Sequence, residues 1–156
     1  MSTTPASVYF IPRAVLGDWF GDCRAYLEEA CKIHPFLDID DVYFLCAQGV
    51  LLLSIQTSET GRVRGCCVTE FVNYPKHRVI NIVLCGGEPG FLENGFGELL
   101  GEIERRAKGL GATAIAAIGR VGWEKVAPTY GWHSKALRTL WKEISHVEGR
   151  RNSENH

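Results

Sequence analysis

The sequence predicts a single α/β domain in which helices cover both faces of a mixed central sheet. Its 156 residues are enough for one hydrophobic core and too few for two. Residues 78–85 are largely apolar on both alternating faces, which is typical of a strand in the centre of a sheet. Residues 92–110 then carry apolar side chains at helical spacing, so a helix follows that strand.

The composition is that of an ordinary folded protein, with 46% apolar and 22% charged residues. The formal net charge is −1 and the lysines and arginines are scattered, so we expect no binding of nucleic acid. The longest strongly apolar run, residues 50–53, is far shorter than the roughly 20 residues that cross a bilayer, so we expect no membrane partner. Residues 1–7 lack a basic stretch and an apolar signal core, which predicts a cytoplasmic protein.

Six cysteines raise the question of disulfides or a metal site. None of them forms a CxxC pair, and each lies in an apolar stretch. We therefore predict no metal site and interpret the cysteines as small buried apolar side chains in a reducing compartment. They are Cys23, Cys31, Cys46, Cys66, Cys67 and Cys85.

The N-terminal half contains two predicted helices. Residues 15–32 place apolar side chains at helical spacing, with acidic and basic side chains on the other side. Pro35 closes this passage. Asp38, with Asp41 three positions later, is an acidic helix start, which predicts a short second helix that ends near Gly49.

Three strand candidates follow the second helix. Residues 50–56 are an apolar run, and residues 58–61 supply polar side chains and a glycine for a turn. The second strand extends from residue 63 to about residue 73, where residues 74–76, Tyr-Pro-Lys, break it. The third strand is the central one at residues 78–85.

The C-terminal half alternates helices and strands. The helix over residues 92–110 ends at Gly111, since glycine is the usual residue just past a helix C-terminus. Residues 112–119 are a short run of small apolar residues, which predicts a buried strand, and residues 122–130 predict a further helix. Residues 135–144 fit an edge strand or a helix, and we favour the strand.

These elements divide the chain into three parts. Residues 1–13 are expected to form an N-terminal arm, residues 14–144 a single domain, and residues 145–156 a polar C-terminal tail. No internal repeat is visible, so the domain is not assembled from repeated units.

The order helix, helix, strand, strand, strand, helix, strand, helix, strand resembles that of a GNAT (GCN5-related N-acetyltransferase) domain over residues 15–144. Two stretches are most similar to this family, ERRAKGLGATAIAAIGR at residues 104–120 and GWEKVAPTYGW at residues 122–132. Two others resemble GNAT-like proteins of tailed bacteriophages, VTEFVNYPKHRVINIVLCGGE at residues 68–88 and IGRVGW at residues 118–123.

The resemblance implies a site for acetyl-CoA. In GNAT proteins the pyrophosphate lies on backbone amides at the start of the helix that follows the central strand. A backbone amide near the end of that strand, where the strand separates from its neighbour, binds the thioester carbonyl. The corresponding residues here are Gly95, Phe96 and Gly97 for the pyrophosphate, and Val83, Leu84 and Cys85 for the thioester.

The glycine pattern of this loop departs from that of the family. Alignment on Leu99 and Leu100 leaves residues 93–97 out of step with the family's basic residue and spaced glycines. Glu88 and Glu93 place negative charge where the pyrophosphate arrives, which disfavours an anion unless they point away. The same glycines also fit a tight turn and a helix start, so both interpretations stay open.

Acetyl transfer also needs a base for the amine and an acid for the leaving thiolate. Glu70 and Asn81 are polar residues that interrupt apolar strands, and a carboxylate in a partly buried cleft can take the amine proton. Outward-pointing strand residues are common, so Glu70 also fits a surface position. The resemblance implies a tyrosine acid four residues before Gly131, but that position is Ala127, which leaves Tyr130 as the candidate.

Three functions are compatible with the sequence. The first is an N-acetyltransferase that moves acetyl from acetyl-CoA to an amine of a host protein or small molecule. The second is a catalytically silent GNAT-fold protein of a phage virion, in the neck, head-tail connector or tail, where its partners are other virion proteins. The third is a regulator that binds acyl-CoA without transferring the acyl group. The expected location is the host cytoplasm, or the virion for the second function.

Overall fold

The computed structural model describes residues 7–117, 131 and 142–144. Within them, five strands form one sheet in the order β1-β2-β3-β4-β5. Neighbouring strands are antiparallel except β4 and β5, which are parallel, so the predicted mixed sheet is confirmed. The strands are β1 Ser7–Phe10, β2 Leu52–Thr57, β3 Val63–Asn73, β4 Arg78–Gly87 and β5 Ala114–Ala117.

Helices cover both faces of this sheet, as the sequence predicts. One face carries α1 and α2, and the other carries α4, which a single-turn helix α3 precedes. A 3-10 turn leads into α1. The bounds are Arg13–Val15 for the 3-10 turn, Leu16–Cys31 for α1, Ile39–Ala47 for α2, Phe91–Asn94 for α3 and Phe96–Gly109 for α4.

The first strand lies in the part that the sequence pattern assigns to an N-terminal arm. It pairs antiparallel with β2, from Ser7 opposite Thr57 to Phe10 opposite Ser54. The strand has only four residues and its partner is distant in the chain. The local sequence pattern therefore gives little indication of β1, because β1 is stabilised by pairing with β2, which is distant in the chain.

The start of α2 has the acidic cap that the sequence predicts. The Asp41 N–H donates to Asp38 Oδ1 at 2.8 Å, and the Asp38 N–H donates to Asp41 Oδ2 at 3.2 Å. This reciprocal capping box satisfies two backbone donors that the first turn would otherwise leave without partners. The capping box therefore fixes the residue at which α2 begins.

The predicted helix over residues 92–110 is divided in the structure. It starts one residue earlier, at Phe91, and breaks at Gly95, where φ is −123°. The Gly95 N–H closes the single turn of α3 by donating to the Phe91 carbonyl at 2.8 Å. The apolar face of α4 then packs on the sheet, with Leu99 and Ile103 almost fully buried. The break lets the chain turn before the long helix begins.

Two features of β4 position the site described below. Its register with β3 shifts between Val68 and Thr69, after which Glu70 lies opposite Asn81. Its parallel pairing with β5 starts at Val79 and, in the described residues, ends at Ile82. The predicted helix at 122–130, the predicted strand at 135–144 and the tail lie almost entirely outside the described residues.

No helix in the described part of the chain is long and apolar enough to cross a membrane. Across residues 7–117, 131 and 142–144, no three histidine, cysteine, aspartate or glutamate side chains are grouped so that they could hold a metal ion.

Candidate active site

A groove lies beside the C-terminal end of β4. Its volume is about 240 Å³. The Glu88 N–H donates to the Arg64 carbonyl at 2.8 Å, and Gly90 then takes φ +81°, which turns the chain into α3. The lining residues are Cys85, Gly86, Gly87, Glu88, Gly90, Phe91, Leu92 and Glu93.

Of the three residues expected to receive the thioester, Cys85 lines this groove, and Val83 and Leu84 directly precede it on β4. Strand β4 pairs with β3 as far as Gly87, which lies opposite Gly65. The Leu84 side chain is buried in the cluster on the α1 face, and the partly exposed Val83 side chain packs against the same cluster. Cys85 is partly exposed and is one of the residues that line the groove.

The loop glycines make room for a phenylalanine. A Cβ added at Gly87 would lie 2.6 Å from the Phe91 ring, and one at Gly95 would lie 2.8 Å from it. Gly65 on β3 has the closest approach of the three, at 2.3 Å. Phe91 is therefore enclosed by glycines from three separate parts of the chain. Among the predicted pyrophosphate residues, Phe96 is also a core residue, and its ring stacks on Phe91 at 6.5 Å between centroids.

The start of α4 faces hydrogen-bond acceptors. Gln56 on β2 is fully buried and its Nε2 donates to Glu98 Oε2 at 3.3 Å. Its Oε1 has no partner among the described residues and lies 3.5 Å from the position of a Cβ on Gly95. A carbonyl oxygen and a carboxylate at this place disfavour an anion there. The sequence analysis did not identify Gln56. A single glutamine in an apolar strand does not indicate that Gly95 and Glu98 pack against it in the fold.

The charge of Glu88 is neutralised within the protein. Arg64 Nε lies 2.8 Å from its Oε1, and Arg62 Nη1 lies 2.9 Å from its Oε2. Hydrogen bonds from Arg64 and Arg62 hold the pKa of the Glu88 carboxyl below its ordinary value. The Glu88 carboxylate at the groove is therefore paired with these two guanidinium groups.

Two of the three residues predicted as catalytic, Glu70 and Asn81, are in contact. Asn81 Nδ2 donates a hydrogen bond of 3.3 Å to Glu70 Oε1 across β3 and β4. Both side chains are partly exposed, just beyond the bulge at Val68 and Thr69. The third predicted catalytic residue, Tyr130, lies outside the described residues.

The cysteines divide into two groups by burial. Cys23, Cys46, Cys66 and Cys67 are buried as predicted, whereas Cys31 and Cys85 are partly exposed. Burial and the neighbouring Cys23 raise the pKa of Cys46 to about 11, so that thiol stays protonated.

The fold is that of the GNAT acetyltransferases. An aminoglycoside acetyltransferase from an uncultured soil metagenomic sample, in complex with sisomicin, superimposes with a TM-score of 0.70 and 9% identity, covering 89% of this chain and 97% of that one. The aminoglycoside enzyme AAC(6')-Iy, in complex with a CoA bisubstrate analogue, gives 0.68 and 15%, covering 91% and 100%. A GNAT family acetyltransferase of Staphylococcus aureus gives 0.62 and 13%, covering 90% and 100%.

No family model and no curated protein matches the sequence. At 9–15% identity these structural similarities carry the fold alone. They do not bear on the expected relationship to bacteriophage proteins, which stays a prediction.

The described residues fit the two ends of acetyl-CoA differently. At the acyl end, Cys85 near the C-terminal end of β4 lines a groove of about 240 Å³. At the diphosphate end, Phe91 occupies the space that the glycines leave, and Gln56 Oε1 and Glu98 present acceptors. Among the described residues, the glycines at positions 87 and 95 therefore make room for the Phe91 ring.

Proposed function

We propose that this chain is an N-acetyltransferase that moves an acetyl group from acetyl-CoA to an amine. The observation that carries the proposal is the end of β4. There Cys85, Gly86 and Gly87 line a groove of about 240 Å³, in a chain that has the GNAT fold. Acetyl-CoA supplies an activated thioester, and the end of β4 supplies backbone donors that its pairing with β3 holds in position.

Backbone amides at Val83, Leu84 and Cys85 are the groups assigned to the thioester oxygen. A donor that is held rigid before the reaction stabilises the negative charge that develops on the carbonyl oxygen without needing to reorganise. The antiparallel pairing with β3, including Leu84 opposite Val68 and Cys85 opposite Cys67, supplies that rigidity.

Glu70 is the proposed base. The amine must lose a proton to attack the carbonyl carbon, and a carboxylate within reach can accept it. The hydrogen bond from Asn81 orients Glu70 by holding Oε1, which leaves Oε2 for the amine. The proton that the departing thiolate needs is assigned to Tyr130, which remains a prediction from the sequence.

The proposed acceptor is an amine of a small molecule or of a host protein. The soil metagenome acetyltransferase was solved with sisomicin bound, which supports an amine acceptor for a chain of the same fold. The cytoplasm, where acetyl-CoA is available, is the proposed location.

Calorimetric titration of the purified chain tests this function. We expect acetyl-CoA to bind, and we expect acetyl-pantetheine, which lacks the nucleotide, to bind at the same site because the acyl end carries the fit. CoA release in the presence of amines then measures transfer. If neither compound produces heat or thermal stabilisation at millimolar concentration, the acetyltransferase proposal is wrong.

A second candidate is supported by Phe91. A GNAT-fold protein that serves only in assembly has no need of a phosphate cradle, and the ring of Phe91 fills the space between Gly65, Gly87 and Gly95. This candidate is the catalytically silent virion protein of the neck, connector or tail. It predicts no response to acetyl-CoA, together with recovery of the chain in stoichiometric amounts from purified virions.

A further inference from the structure

Two cysteines lie opposite each other on neighbouring strands at the candidate site. Cys67 on β3 is in register with Cys85 on β4. Their thiols are within hydrogen-bonding contact. Directly opposite residues of an antiparallel pair have Cα atoms about 4.5–5.5 Å apart. This separation lies inside the range of about 4.4–6.8 Å that a disulfide spans, so a bond between them leaves the strand pairing intact.

The two thiols differ in access to solvent. Cys67 is fully buried, whereas Cys85 is partly exposed and lines the groove. A small oxidant can therefore reach Cys85 from the groove and cannot reach Cys67. The hydrogen bond with Cys85 and burial raise the pKa of the Cys67 thiol, so Cys67 is the less reactive thiol of the two.

We propose that Cys85 and Cys67 are a redox-sensitive pair, which low-molecular-weight disulfides such as glutathione disulfide convert into a protein disulfide. The Cys85 thiolate attacks one sulfur of glutathione disulfide, the S–S bond breaks, and one glutathione leaves as a thiolate. Cys67 then attacks Cys85 Sγ, the bond between Cys85 and glutathione breaks, and the Cys67 proton passes to the departing thiolate, so the second glutathione leaves as a thiol. In total two protein thiols lose two electrons and two protons, and one glutathione disulfide becomes two glutathione molecules.

Oxidation changes the groove whether or not the chain is an acetyltransferase. The disulfide draws the Cys85 sulfur towards β3 and removes a thiol from the groove lining. The intermediate, with glutathione on Cys85, fills the groove instead. Any ligand of the groove is therefore expected to bind the reduced and oxidised forms with different affinities.

The chain contains its own control for access. Cys23 and Cys66 are also in thiol contact, but both are completely buried. If contact alone decided oxidation, both pairs would react at similar rates. Because access to the groove is what distinguishes them, we expect the Cys23–Cys66 pair to stay reduced under conditions that oxidise the pair at the groove.

The test is disulfide mapping of the folded protein. The chain is incubated with glutathione disulfide, quenched with acid, alkylated in denaturant, digested and analysed by mass spectrometry. We expect a cross-linked peptide containing Cys67 and Cys85, with Cys23 and Cys66 recovered as alkylated thiols. Oxidised protein should also melt at a higher temperature than reduced protein, because the cross-link restricts the unfolded chain.

Two serine variants separate the steps. In Cys67→Ser, Cys85 should stop at the mixed disulfide with glutathione, and in Cys85→Ser, Cys67 should remain unmodified. Melting curves of both variants show that they are folded. The proposal is overturned if native protein leaves Cys67 and Cys85 as free thiols, if Cys85 stops at the mixed disulfide in native protein, or if Cys23–Cys66 oxidises equally fast.

Discussion

Asn81 and Glu70 face each other across the central antiparallel pair, and Asn81 Nδ2 donates a hydrogen bond of 3.3 Å to Glu70 Oε1. An amide donor is uncharged, so it orients a carboxylate without neutralising its charge. An arginine in the same place would neutralise that charge. The hydrogen bond therefore restricts the orientation of the Glu70 carboxylate.

This contact predicts the effect of Glu70→Gln. Glutamine has the same shape and still accepts the hydrogen bond from Asn81, so the free energy of unfolding should hardly change. Acetyl transfer should fall roughly 100- to 10,000-fold, the usual contribution of a general base. Initial rates of CoA release measure it, with Glu59→Gln at an exposed turn position as the matched control. An unchanged rate would remove Glu70 from the mechanism.

The packing around Phe91 predicts that Gly87→Ala destabilises the fold. The new Cβ would lie 2.6 Å from the ring, so we expect a loss of about 1–3 kcal/mol in the free energy of unfolding. Gly101→Ala on α4 meets no atom within 4 Å and should instead gain about 0.5–1 kcal/mol. Urea denaturation measures both. Adding Phe91→Leu to Gly87→Ala should cost less than the two single changes together, and strict additivity would contradict the contact.

The Glu88 cluster predicts a pH dependence of stability. Arg64 and Arg62 lower the pKa of the Glu88 carboxyl, so its stabilising contribution is complete above the ordinary carboxyl pKa of 4.5 and is lost as the pH falls through the lowered value. Glu88→Gln should therefore be less stable than the native chain at pH 7, and this difference should shrink in acid. Urea denaturation across this pH range measures it, with Glu104→Gln on the exposed side of α4 as the control. A difference that is independent of pH would exclude the ion pairs as its cause.

The capping box at α2 predicts a cost for Asp38→Ala. The substitution removes the acceptor of the Asp41 N–H, and caps of this kind contribute about 1 kcal/mol. Asp22→Ala, at an exposed position inside α1, removes an acidic side chain without removing a cap and should be neutral or slightly stabilising. Thermal denaturation of the two variants compares them. Equal effects would show that net charge, rather than the cap, is responsible.

Local patterns predicted most of the fold that is described. The helical spacing before Pro35, the Asp38 cap and the apolar residues of β4 are each short-range signals, and α1, α2 and β4 form where those signals place them. The mixed sheet follows from the order of the helices and strands along the chain. The first strand escaped prediction because it depends on pairing with β2.

The candidate site was predictable in its polar residues and not in its packing. Glu70 and Asn81 were noticeable as polar interruptions of apolar strands, and the structure brings them together. The sequence left two roles open for the loop glycines, and only the fold shows Phe91 against Gly87 and Gly95. Gln56, Arg62 and Arg64 could not be connected with the loop at all, because their partners lie far along the chain.

The enclosure of Phe91 also has an evolutionary consequence. Gly87 and Gly95 flank Phe91 in the chain and Gly65 is on a different strand, yet each lies against the same ring, so none can acquire a side chain while a phenylalanine remains at position 91. The four positions should covary among relatives, with larger residues at the glycines only where position 91 is small. Relatives with a small residue at position 91 would be the ones with space beside the loop for a phosphate group.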